Sequence, residues 1–180
     1  MLRRVKVMLT LRRGFLARKS GSLADARNHY MQAVSISRRI NSKRLLVSVL
    51  KGVAQIERDS GRPAESIPVY EDAVLHCREI GDRVLLAHTI RHLGDAHQNV
   101  GELERAEDCY REALSLYRQS HFVRRGDLAN AVRPFALLKE RLGETSAAVE
   151  LWTEAHRLYS SINAKAGIDE CKTHLQKLCT

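Results

Sequence analysis

His88 and His92 stand four apart in the string HTIRH, and Asp95 follows three residues on. On a helix this spacing places both imidazoles on one face, with a carboxylate within a turn. Such a trio can hold a metal ion. Thr89, however, occupies the place where an HExxH hydrolase carries its glutamate, so no general base is present. The histidines read as lining residues, and neither a metal nor any other cofactor is expected. No nucleophile elbow, Walker loop or dinucleotide fingerprint occurs. Cys77, Cys109, Cys171 and Cys179 form no CxxC pair and no zinc spacing. The eight histidines do not gather around any cysteine. No catalytic residues are assigned, and the chain is read as a non-enzyme.

The glycines show what holds these side chains in place. Gly21, Gly61, Gly101 and Gly143 recur at steps of about 40 residues. Nine residues after each comes an aromatic: Tyr30, Tyr70, Tyr110, Trp152. Three further on stands an alanine: Ala33, Ala73, Ala113, Ala155. A third column, five after the glycine, is small: Ala26, Ser66, Ala106, Ala148. Three columns kept in step over four copies define an internal repeat. In the third unit Ala106, Tyr110 and Ala113 share one helical face, continued by Leu116 and Tyr117. Before the turn, Leu86, Ile90, Leu93 and Gly94 follow the 3.6-residue period of a second helix. A further small column (Gly14, Ala54, Gly94, Ala136) lets the partner helix approach. No unit can bury its apolar face alone, so the units must stack. Asp82, and Asn41 with Ser42, are placed to cap the helices that follow.

Composition agrees. The chain has 180 residues, 44% of them hydrophobic and 28% charged, enough for one domain with a continuous core. Three prolines suit a helical chain. No apolar run reaches membrane-spanning length. The net charge of +9 is concentrated at one end. Residues 1–60 hold fourteen Lys or Arg against Asp25, Glu57 and Asp59. A basic end can attract nucleic acid or an anionic membrane. Residues 1–24 contain seven cations and no acid, the composition of a transit peptide. The same stretch, though, is needed as the first helix of the first repeat, and a cytoplasmic location is expected.

The columns resemble the tetratricopeptide repeat. Leu93–Gly94, the turn at Gly101, then Ala106, Tyr110 and Ala113 match that family's pattern in place. The resemblance spans the whole chain and is strongest in units two to four. In the first unit Arg13 replaces a leucine and Thr10 a bulky apolar residue. The tyrosine usual in the first helix is replaced by Ala17, Glu57, His97 and Lys139. The 40-residue repeat is similar to the longer variant of kinesin light chains and spindle-orientation adaptors. The resemblance implies an all-α fold: a right-handed α-α superhelical solenoid of four helix pairs plus a C-terminal capping helix. Expected units are about 5–40, 43–80, 83–119 and 122–161, with a cap at about 164–178, forming a single domain over 1–180.

The resemblance also implies a function. In this family the first helix of each unit lines a concave, peptide-holding groove. The corresponding residues here are Lys51, Gln55, Arg58, His88, Arg91, His92, Asp95, Asn130 and Arg133. Lys51, Arg91 and Arg133 fall in one column, and stacked cations suit an acidic or carboxylate-bearing peptide. These groove cations are expected to be exposed. The carboxylate clamp of cochaperones is matched only at Lys51. Gln55, His92, and Asn130 with Pro134 depart from it, and bidentate recognition tolerates such swaps poorly. Pro134 is expected to kink its helix. The expected role is a non-catalytic protein-interaction scaffold with an acidic protein or peptide partner. The rival is attachment to nucleic acid or anionic membrane through the basic N-terminal third. The terminal repeat also offers an apolar edge for a homodimer.

The first unit lacks two column residues and is crowded with cations. Hydrogen exchange is therefore expected to be fastest in residues 1–20. Protection there equal to that of residues 85–115 would contradict the reading.

Overall fold

The structure, a computed structural model, describes residues 2–121 and 123–179. The expected start of the fourth unit, at 122, lies outside the described residues. Nine helices and no strand occur among them. In chain order they are α1 (Leu2–Lys19), α2 (Leu23–Arg39), α3 (Lys43–Asp59), α4 (Pro63–Ile80) and α5 (Arg83–Val100). Then come α6 (Leu103–Arg118), α7 (Arg125–Arg141), α8 (Thr145–Ser160) and α9 (Lys165–Leu178). Each helix packs against the next, and α1 also touches α3 while α5 touches α7. The odd-numbered helices therefore share one side of the stack, where the candidate residues lie.

The tight turns between paired helices need a left-handed residue. Gly21, Gly61, Gly101 and Gly143 supply it, with φ of +83°, +76°, +88° and +73°. A side chain would be strained at each. Asp82 caps α5 as expected, its carboxylate accepting from the Leu85 N–H at 3.0 Å. Ser42 differs, because it makes no side-chain cap bond to α3. Its neighbour Asn41 instead takes a φ of +48° in the connection. Pro63 begins α4, where its missing N–H costs nothing. Pro68 and Pro134 both lie inside helices, and α7 continues through a buried Pro134 to Arg141.

The aromatic column fills the core. Tyr30, Tyr70, Tyr110 and Trp152 are all buried. Each packs into space left by the small column. A Cβ on Gly94 would lie 2.9 Å from the Tyr110 ring, and one on Gly14 3.1 Å from Tyr30. Ala54 shares a cluster with Tyr70, and Ala136 shares one with Trp152. The last knob is Tyr159, which leaves no room for a Cβ on Gly167 of α9. The cap is thus fastened by the same device.

Of the four positions that replace the family's tyrosine, Glu57, His97 and Lys139 are buried with polar side chains, a burial that the sequence columns did not announce. Glu57 accepts from Arg27 at 2.8 Å and from Arg62 at 2.9 Å. His97 meets Glu102 at 2.6 Å. Lys139 donates to Glu107 at 2.6 Å and Glu144 at 2.7 Å. Arg62, Glu102 and Glu144 each directly follow a turn glycine, so each pair clasps its turn. A buried charge survives only when paired in this way.

Tyr110→Ala is expected to cost about 3–5 kcal/mol in chemical denaturation, since it empties a buried aromatic site. Tyr110→Phe keeps the ring but strands the acceptors on Asp95 and Gln98, and should cost about 1–3 kcal/mol. A Tyr110→Ala variant with wild-type stability would refute the core assignment.

Candidate functional site

The predicted residues lie on α3, α5 and α7 and divide between two hollows. The first is lined by Lys51, Gly52 and Gln55 of α3, His88 and His92 of α5, and Phe15 and Arg18 of α1. Tyr30 and Tyr70 contribute aromatic walls from α2 and α4. The second hollow contains Arg58, Arg91, Asp95 and Arg133, with Gln98, Asn99, Tyr110, Pro134 and Leu137. Asn130 lines neither. It is exposed at the α7–α8 contact, where its side-chain oxygen accepts from the Tyr159 hydroxyl at 2.8 Å.

Asp95 is the centre of the second hollow. It accepts from Arg91 at 3.1 Å, from His92 at 3.2 Å and from the Tyr110 hydroxyl at 3.0 Å. Arg58 of α3 approaches it to 3.6 Å. Burial pushes the Asp95 carboxyl up, but the His92 hydrogen bond and the Arg91 charge outweigh this and bring it to about 2. His92 has both ring nitrogens engaged. Nδ1–H donates to Asp95 while Nε2 accepts from Arg91 at 2.6 Å. Burial holds it neutral, at about 4, as this assignment requires.

The expectation of exposed cations therefore fails for Arg91, whose side chain is only 14% exposed. Arg133 is also committed, its Nε donating to Glu170 of α9 at 2.7 Å. Gln55 donates to Asp59 at 2.8 Å, a residue that also pairs with Arg18. Spacing showed the cations of the groove, but their carboxylate partners come from the same helix and from the cap. Only the Arg58 Nε in this cluster is buried with no hydrogen-bond partner.

Lys51 differs from the arginines. Its Nζ donates to His88 Nδ1 at 2.9 Å, and among the described residues no carboxylate pairs with it. Burial, aided by the Arg91 charge, lowers its ammonium to about 8. Burial and the Lys51 charge together lower His88 to about 3, so His88 acts as a neutral acceptor. The His88 and His92 rings meet edge to face at 4.7 Å, and His92 stacks on Tyr70. No group of three metal-ligating side chains occurs among the described residues. Gly52 was not conspicuous in the sequence. A Cβ there would lie 2.3 Å from the Tyr30 ring, so its bareness keeps the floor of the first hollow in place.

The strengthened acidity of Asp95 fixes the sign of a pH effect. Its carboxylate stabilises the fold above about pH 4, and that contribution is lost as pH falls through 2. It should amount to about 2 kcal/mol. Asp95→Asn is expected to be less stable than wild type at pH 7 and to lose less between pH 4 and 2. Parallel acid-denaturation curves for the two proteins would refute the cluster.

A tetratricopeptide-repeat family model matches residues 45–119. A search of curated protein sequences found no match. Among solved structures, the chain is similar to the nearly identical kinesin light chain TPR-like repeats from Podosopora anserina, with a TM-score of 0.69 at 15% identity. That match covers 97% of this chain and 93% of the other. BtubC from P. vanneervenii matches with a TM-score of 0.72 at 16% identity, covering 92% and 76%. A Rap protein complexed with Competence and Sporulation Factor matches with a TM-score of 0.84 at 14% identity. There the match covers 96% of this chain but 51% of the Rap protein. At these identities the structures share a fold, and the family match names the repeat within it: residues 45–119 match the tetratricopeptide repeat, which the rest of the stack resembles.

Proposed function

We propose that this protein is a non-catalytic interaction scaffold whose odd-helix face holds an acidic segment of a partner protein, with one carboxylate seated on Lys51. The observation that carries this reading is the state of the cations. Arg91 and Arg133 already have carboxylates, whereas Lys51 has only a neutral imidazole. A half-buried ammonium without a counter-ion gains most from an incoming carboxylate, because little water competes for it. Phe15, Tyr30 and Tyr70 around it offer apolar contact for the flanking residues of the same segment. A solenoid of similar fold is seen complexed with a factor, which supports a binding role. A cytoplasmic location accords with this proposal. No described helix is long and apolar enough to cross a membrane.

The test is the affinity of the protein for a panel of acidic peptides with free or amidated C-termini. Lys51→Gln should weaken the best binder by about tenfold or more, the worth of a charged hydrogen bond. Binding should persist below pH 8 and fall above it, because the ammonium loses its proton there. It should also weaken with salt. Equal binding of neutral peptides, or a Lys51→Gln variant with undiminished affinity, would refute the proposal. A difference between free and amidated peptides would identify the chain terminus, rather than a side chain, as the seated carboxylate.

A further inference from the structure

Helix α1 has two apolar sides. Val7, Thr10 and Gly14 are buried against the rest of the stack. Leu2, Val5, Leu9 and Leu16 lie on the opposite side, spaced three, four and seven apart, and are 88%, 47%, 53% and 52% exposed. At 100° per residue these four form one stripe. Lys6 and Arg13 border it on one edge, Arg12 and Lys19 on the other. The helix contains no acid, and of its seven cations only Arg18 has a carboxylate partner among the described residues, Asp59. The remaining cations are free to meet an external negative charge.

We infer that this outer face of α1 is a docking surface for an anionic lipid bilayer, with the stripe entering the headgroup boundary and the flanking Lys and Arg on lipid phosphates. The combination decides between possible partners. Nucleic acid would satisfy the cations, but its phosphate backbone offers nothing to four exposed aliphatic side chains. A second copy meeting through α1 would satisfy the stripe, but would set two uncompensated cationic rims against each other. An anionic membrane meets both demands: the apolar stripe sinks several ångströms, and the long cationic side chains reach outward from its edges. An 18-residue helix, about 27 Å long, then lies flat on the surface rather than across it. The groove of the odd-numbered helices is a separate site, so this inference stands independently of the peptide proposal.

The experiment is flotation of the purified protein with vesicles of phosphatidylcholine, alone or mixed with phosphatidylserine. Binding is expected only to the mixed vesicles. It should disappear in 1 M salt, where the screening length falls to about 3 Å. Two double variants separate the contributions: Leu9→Glu with Leu16→Glu, and Arg12→Glu with Arg13→Glu. All four side chains are exposed, so melting temperatures should remain near wild type. Each pair should reduce vesicle binding more than tenfold. Failure to float with anionic vesicles would overturn the inference, as would equal binding to neutral ones. So would binding to duplex RNA undiminished by the Leu9 and Leu16 changes with no vesicle binding. A dimer in sedimentation that those changes dissolve, again with no vesicle binding, would assign the face to a second copy instead.

Discussion

The structure depends on one contact made four times: a large aromatic ring seated against a residue with little or no side chain on the facing helix. Tyr110 against Gly94 is the clearest instance, since even a methyl group on that glycine would lie 2.9 Å from the ring. The contact sets how closely paired helices approach, and close approach makes the stack dense enough to exclude water. It also reaches the candidate site. The Tyr110 hydroxyl emerges from the core to hold Asp95, and Asp95 organises Arg58, Arg91 and His92. Tyr110 thus joins the core to the second hollow, as Tyr30 and Tyr70 join it to the first.

The internal pairing of charge narrows where a ligand can act. A groove described by residue type alone has four cations along its length. With Asp95 and Glu170 in place, half of that charge is already neutralised, and a partner must either displace an existing carboxylate or use what is left over. On the proposed reading, the site contracts towards the hollow between α1, α3 and α5. That hollow has aromatic walls, and its amine is held in a less polar setting than an ordinary surface lysine.

Much of this was legible in the sequence because repetition does what an alignment would do. Four internal copies expose the turn glycines, the aromatic knobs and the small holes as columns, and the physics of each column is local. The helical fold class, and the cap at Asp82, follow from that. Three features did not follow. The burial of Glu57, His97 and Lys139 was hidden because their identities differ from unit to unit, and polar residues ordinarily read as surface. The partners of Arg91 and Arg133 were hidden because Asp95 is a neighbour on the same helix and Glu170 belongs to the cap, outside the repeating columns. Gly52 was hidden because no other unit has a glycine there. In each case the missing information is a contact between non-equivalent positions, which a repeat pattern cannot display.

The clasps at the turns carry a consequence for how such an array can change over generations. The unit containing Glu57 is closed by arginines, that containing His97 by a glutamate, and that containing Lys139 by two glutamates. Two of these partners, Arg27 and Glu107, come from the preceding unit. A backbone built from near-identical modules invites duplication, deletion and shuffling. Here a transplanted module would bring its buried charge to a neighbour of the same sign, or to none. The period is regular, yet the order of the units is written into the polarity of their interior, so the modules are alike in shape and not interchangeable in sequence.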